Sequence, residues 1–344
     1  MNKCKLFLLK FLSYRQAENL KTYFSIILYY SGLAYLISLF ADKGASILIY
    51  HSINDKNIFT DNIVYPEIFE RQISYLSKRY NIVPLSLLVE YLYLKKEIPN
   101  NWIILTFDDG YRDNLYNVLP ILKRYKAAAT FYVTADAVKN RMIFFYDRIQ
   151  SIIEAAKVKN IVVCLDNKQI KFSLSDKKRR EDAVLSIVLS IREKESKTQR
   201  RFIEYLQKIC ESETIPYQKS PIYLTEDEVE KLHKSGMEIG SHTISHNNLK
   251  RLSQRELDKE ISGSKETLEE IIGSKITAFS YPFGKKDTYN NSIKEMVKQA
   301  GYRSAVTTIF GKVNLDSDLY ALPRIGVRNT TVTRLKVNLM GIHI

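Results

Sequence analysis

Cysteine is scarce in this chain. Cys4, Cys164 and Cys210 are the three among 344 residues, widely separated and in no CxxC pair. That excludes a disulfide scaffold and a thiolate zinc site, while a single bridge stays open. Tryptophan occurs once against 23 tyrosines, and tyrosine of that abundance leaves carbohydrate or interfacial contact open. Twelve glycines and eight prolines exclude collagen-like and Pro-rich low-complexity chains. Negative charge is also short: 38 Asp and Glu stand against 52 Lys and Arg, a formal +14. A basic surface favours anionic partners such as nucleic acid, an acidic membrane face or an anionic glycan, and says nothing about fold. No zinc finger, aromatic RNA-binding motif or helix-turn-helix accompanies the charge, which removes nucleic acid from that set. At 45% hydrophobic and 26% charged residues the composition is globular.

Long apolar runs are almost absent. Leu6–Leu9, flanked by lysines, is too short to span a bilayer and lacks a small-residue cleavage site. Phe24–Ala41 is uncharged and close to the ~20 residues a spanning helix needs. It contains Gly32, three serines and three tyrosines, which favours a buried or interface-lying helix over an anchor. A basic segment beside such a helix suits an anionic membrane surface.

From Ser46 onward, strand-length apolar runs alternate with helical patterns. Strands are predicted at Ser46–Tyr50, Asn81–Pro84, Trp102–Phe107, Ala128–Thr134, Met237–Ser241, Ile276–Tyr281 and Arg303–Thr308, with a short run at Leu322–Val327. Helices are predicted from Pro66, over Leu85–Tyr93 and Asp113–Tyr125, and over Asn291–Ala300. Two more open at the capping boxes Thr225/Glu228 and Ser253/Glu256. This order indicates an α/β fold with parallel strands and crossover helices. Residues 139–220 interrupt it and read as a largely helical insertion, with a β-like patch at Ile161–Leu165 and a solvated basic run at Lys177–Arg180.

Three polar segments sit at predicted strand ends, where barrels of alternating strands and helices carry their reactive groups. Thr106-Phe107-Asp108-Asp109-Gly110 places two adjacent carboxylates on a glycine turn. Their repulsion calls for a cation beside one of them or a raised pKa. Ser241-His242-Thr243-Ile244-Ser245-His246 holds two of the five histidines, four apart, a spacing at which both imidazoles can reach one ion. Phe279-Ser280-Tyr281-Pro282-Phe283-Gly284 is a rigid Pro/Gly turn.

In this order the segments resemble the motifs of the NodB-homology polysaccharide deacetylases, carbohydrate esterase family four, over roughly residues 45–330. Thr106–Gly110 is similar to that family's TFDDG motif, His242–His246 to its H-[ST]-x-x-H motif, and Ser280–Phe283 to its R-x-P-[YF] motif. Two departures stand out. Ser280 replaces the motif Arg that usually orients the catalytic Asp, and Leu322-Pro323-Arg324-Ile325 lacks the His of a late Leu-x-x-His motif. The absent Arg, the Phe279–Gly284 loop and Tyr50-His51-Ser52 after the first strand resemble the branch that includes poly-N-acetylglucosamine deacetylases.

The resemblance implies a deformed (β/α) barrel of about seven parallel strands. A basic, apolar helical segment (1–44) would precede the catalytic domain (45–330), and a tail (331–344) would follow it. It implies metal-dependent removal of N-acetyl groups from hexosamines in a surface polysaccharide or exopolysaccharide. Asp109, His242 and His246 would hold one divalent metal, zinc first among the choices. Asp108 would act as base and His51 as acid, with His343 the weaker alternative. Tyr281, Pro282, Phe283 and Arg324 would contact substrate or oxyanion, and His233 would be exposed. Such activity places the protein at a membrane or outside it rather than free in the cytoplasm. A glycan O-acetyl esterase and a non-catalytic glycan-binding protein are the alternatives.

Overall fold

The computed structural model describes residues 18–55, 63–165, 168–192, 194, 196–212 and 222–344. Cys4 and Leu6–Leu9 lie outside them; Cys164 and Cys210 are free thiols. Two compact units separate. One comprises residues 21–55, 61–142 and 223–344; the other includes 143–222.

The larger unit is built on an eight-stranded, all-parallel sheet. Its strands are β1 (Ser46–Tyr50), β2 (Asn81–Ile82), β3 (Trp102–Phe107), β4 (Thr130–Val133), β5 (Glu238–Ser241), β6 (Ala278–Ser280), β7 (Ser304–Val306) and β8 (Ile325–Gly326). Seven of them run in the order β7-β6-β5-β4-β3-β1-β8, and β2 also pairs with β3. β1, β3 and β4 are buried along their whole length, as expected of strands covered on both faces, which explains their continuous apolar runs. The two ends of the sheet approach each other through an irregular segment. Leu322 pairs with Val306 of β7, Thr307 N donates to Leu322 O at 2.9 Å, and the chain then enters β8 beside β1. This closure makes the sheet the deformed (β/α) barrel expected from the sequence. It also carries Arg324 into the barrel interior.

Each predicted strand is present and the observed ones are mostly shorter by a residue or two at their ends. The helix predicted over Asp113–Tyr125 is two pieces, a π-helical turn (Asn114–Val118) and an α-helix (Leu119–Arg124). Both capping boxes form. Residues 331–344 carry a helix (Val332–Leu339) whose Leu335 and Leu339 enter the main core.

The smaller unit has a core of its own, centred on Ile149, Ile152, Val163, Ile187 and Leu206. Its helices are Phe145–Glu154, Lys177–Ile191 and Ser196–Ile209. The β-like patch is one arm of an antiparallel hairpin, Asn160–Leu165 with Lys168–Ser173. The second arm is strongly polar and carries no strand signal. Lys177–Arg179 of the basic run are exposed, whereas Arg180 turns inward and donates to the Ile153, Glu154 and Ala156 carbonyls at the end of the preceding helix.

Candidate active site and metal centre

The three motif segments meet at the C-terminal ends of β3, β5 and β6. Asp108 N donates to Tyr50 O at 3.0 Å, so strand pairing continues up to the carboxylates. Asp109 and Gly110 then both take φ of 77°, a left-handed pair that turns the chain at once. A Cβ at Gly110 would stand 3.2 Å from Val133 Cγ1. Thr243, His246 and Phe283 also have positive φ. Such backbone persists only where the surroundings over-determine it.

The loop after β5 has two supports. His246 N donates to Thr243 Oγ1 at 3.0 Å. Glu260 accepts from Ile244 N and Ser245 N, both at 2.9 Å, and from Ser245 Oγ. Glu260 lies in a π-helical turn, Lys259–Gly263, set within the long helical stretch that follows Ser253. Such turns re-aim the side chains of a helix.

His242 Nε2 and His246 Nε2 each lie 3.4 Å from Asp109 Oδ1. Among the described residues, these three form the one cluster of His, Cys, Asp or Glu able to share an ion, with ligand atoms all within 4.8 Å of one another. Ligand atoms around a tetrahedral zinc ion, at about 2.0–2.1 Å from it, stand roughly 3.3 Å apart. Spacing and donor types therefore both fit a divalent transition metal. His242 Nδ1 donates to the Ser280 carbonyl at 2.8 Å. That bond fixes the tautomer and leaves the Nε2 lone pair facing Asp109.

Asp108 is held from the opposite side. Arg324 Nη1 donates to Oδ1 at 2.8 Å, Nη2 donates to Oδ2 at 2.7 Å, and Ser280 Oγ adds 3.1 Å to Oδ2. The remaining Arg324 bonds go to Thr106 Oγ1, Ser280 Oγ and Thr307 O, so all five N–H groups of the guanidinium are used. Its exposure is 0%. The sequence assigns Arg324 to substrate contact; this geometry corrects that reading, because no donor remains for a ligand. Arg324 instead orients Asp108 together with Ser280, reaching it from the segment just before β8.

Tyr281 is corrected likewise. Its side chain is buried, its hydroxyl donates to Tyr320 O at 3.0 Å, its ring stacks on Tyr289, and its N–H is taken by Val306 O. Pro282 has no N–H. The turn's first available amide is therefore that of Phe283, whose ring packs edge-on to His246 at 5.0 Å.

His51 follows β1, half-buried, in the electrostatic field of Asp109, Asp108, Arg324 and His242. Its carbonyl accepts from Asn114 Nδ2 at 2.9 Å. Asp113 accepts from Ser52 Oγ, Ile53 N and Asn54 Nδ2. These two residues of the DDG-following turn thus fix the histidine's backbone. His343 stacks on Phe310. His233 is half-buried rather than exposed and shares a hydrogen bond with Ser274.

Charge states follow from the packing. Burial works to raise the Asp108 pKa, but the Arg324 guanidinium overrides it and holds the carboxyl well below the usual range. Burial likewise opposes the Asp109 charge, and the neighbouring histidines bring its pKa down. Burial lowers His51, and lowers His246 to about 4. Burial also opposes the His242 imidazolium, yet Asp108 and Asp109 together raise its pKa.

A parallel barrel with an Asp-Asp pair and two histidines at its C-terminal rim defines a hydrolase site of the carbohydrate-deacetylase class. Residues 95–305 match the polysaccharide deacetylase family, and the chain belongs to it. Its members are hydrolases of carbon–nitrogen bonds other than peptide bonds. A curated relative, the putative polysaccharide deacetylase YxkH of Bacillus subtilis (strain 168), is 22% identical over 282 residues, covering 82% of this chain and 70% of the relative. Among solved structures, Streptococcus pyogenes deacetylase PplD in complex with acetate aligns with a TM-score of 0.55 at 20% identity, covering 86% of this chain and 97% of that one. IcaB from Ammonifex degensii aligns at 0.55 with 16% identity, covering 87% and 98%. These two likenesses concern the fold. His51 and Arg324 lie outside the matched segment.

Proposed function

We propose that this protein removes N-acetyl groups from hexosamines of a surface polysaccharide or exopolysaccharide, with Asp109, His242 and His246 holding one divalent cation, zinc. The observation that carries this is the Asp109–His242–His246 cluster directly beside a second, Arg-bound carboxylate. When bound, such an ion acidifies water from a pKa of about 15.7 toward about 7 and polarises an acetamide carbonyl.

The chain's own groups supply the rest. Arg324 keeps Asp108 ionised and fixes both its oxygens. Asp108 takes a proton as water adds to the carbonyl carbon. Its low basicity makes it an effective acceptor only for an acidified water. The Phe283 N–H donates to the developing oxyanion, an interaction worth about 3–4 kcal/mol in comparable sites. His51 gives a proton to the amine nitrogen as the C–N bond breaks. Burial lowers its pKa, so the imidazolium is a strong acid but a minor species at neutral pH, and the ring takes up its proton before the C–N bond breaks. Acetate and a free amino sugar are the products.

The test is acetate release from matched N-acetylated and O-acetylated glycans. Turnover of the N-acetylated member, abolished in Asp108→Asn with metal content retained, is the expected result. Turnover of the O-acetylated member alone would reassign the protein as an esterase. Normal turnover in the variant would remove Asp108 as base.

A further inference from the structure

Residues 18–30 and Leu33–Ser38 form two helices joined at Ser31-Gly32, where Gly32 has φ 77°. One face is docked: Ser25, Leu28 and Ala34 are buried, and the latter two pack with Val337 of the C-terminal helix. The other face is apolar and open. Tyr23, Phe24, Ile27 and Tyr30 follow helical spacing and are 67%, 51%, 64% and 75% exposed; Leu36 and Phe40 continue the surface at 56% and 92%. An apolar surface of this extent marks an interaction site.

A basic groove adjoins it. Arg71, Lys78 and Arg79 of the helix Pro66–Arg79, with Lys336, line a groove of about 520 Å³ floored by Tyr75 and Tyr125. Glu70 is the acidic group on this lining, and it pairs with Arg124. The Lys336 ammonium lies 4.7 Å from the Tyr29 ring and 4.9 Å from the Tyr75 ring. Groove and helices therefore meet at one side chain. A second copy of this chain would bring like charge to the groove, whereas an anionic lipid surface complements both parts at once. No helix among the described residues is long and apolar enough to cross a membrane.

We propose that the exposed face of the two N-terminal helices and the adjoining basic groove form a docking surface for an anionic lipid membrane, on which the protein lies. The apolar side chains enter the headgroup–acyl boundary and the groove receives lipid phosphates.

Co-sedimentation of the full chain with phosphatidylcholine vesicles, with and without phosphatidylglycerol, tests this. Strong binding is expected only with the anionic lipid, weakening as salt rises. The triple variant Phe24→Ser/Ile27→Ser/Phe40→Ser should lose about tenfold in partitioning per side chain. Arg71→Glu/Lys78→Glu should lose about fivefold or more per charge. All variants keep the wild-type circular dichroism spectrum, which reads folding independently of any enzymatic activity. Equal binding to neutral vesicles, undiminished binding of the triple variant, or dimerisation abolished by the same substitutions without vesicle binding would each overturn the proposal.

Discussion

Arg324 and Ser280 hold Asp108 together. Ser280 offers Asp108 a hydroxyl but no positive charge, and an arginine from the closing segment supplies that charge. Removing one partner of a fully buried ion pair strands the other. Arg324→Met should therefore lower stability by about 3–5 kcal/mol and cut turnover while metal binding persists. Denaturant unfolding, together with metal analysis, reads both. The pH dependence has a definite sign. The Asp108 pKa is depressed on folding, so the pair stabilises the protein above the usual carboxylate pKa of about 3.9. That contribution fades as pH falls toward the folded value, and Arg324→Met should lack this acid-side loss. The histidines should separate in metal-free protein followed by NMR. His246 titrates near 4, and His242 above its ordinary value of 6.5. The His242 imidazolium stabilises metal-free protein below 6.5, and this is lost as pH rises through its raised pKa. Metal uptake just above pH 6.5 should accordingly release a proton. A His242 resonance titrating below 6.5 would contradict the assignment. Arg324 had one legible signal: an arginine set between Leu322 and Ile325 in a run that otherwise reads as core. Its partner did not, because 216 residues separate it from Asp108.

Strands and caps were legible because their signals are local. β1 and β3 appear over the same residues as their apolar runs, since burial on both faces leaves no room for polar interruption. The π-helical turns were not. Apolar spacing continues across Lys259–Gly263, and an extra residue in the turn leaves no compositional trace. The turn places Glu260, a residue the motifs do not contain, on the amides of the His loop. Glu260→Gln keeps the shape but removes the charge and one acceptor. Metal affinity should fall about 10–100-fold, as for other outer-shell ligand supports, measured by competition with a chelating dye. Unchanged affinity would make Glu260 purely structural. Gly240 tests the barrel: a Cβ there would stand 2.5 Å from the Tyr132 ring. Gly240→Ala should destabilise by about 1–3 kcal/mol, seen as a lower unfolding midpoint.

Over the whole molecule, the barrel's closure decides what meets at the rim. Segments far apart in sequence converge because parallel strands point their C-terminal ends the same way. That much followed from the order of strands and motifs. The smaller unit's hairpin did not follow, because its second strand is polar along most of its length. The +14 charge is also resolved in part: the centre holds two carboxylates, while Arg71, Lys78, Arg79 and Lys336 gather in the groove beside the N-terminal helices. In the proposed reaction, N-deacetylation requires one cation held by Asp109, His242 and His246. The most direct measurement is acetate release from an N-acetylglucosamine oligomer by metal-stripped protein during zinc titration. Activity absent at first, rising to a plateau at about one equivalent in the wild type and staying absent in His242→Ala, is the expected result. Full activity in the stripped protein, or zinc-restored activity in His242→Ala equal to wild type, would contradict it.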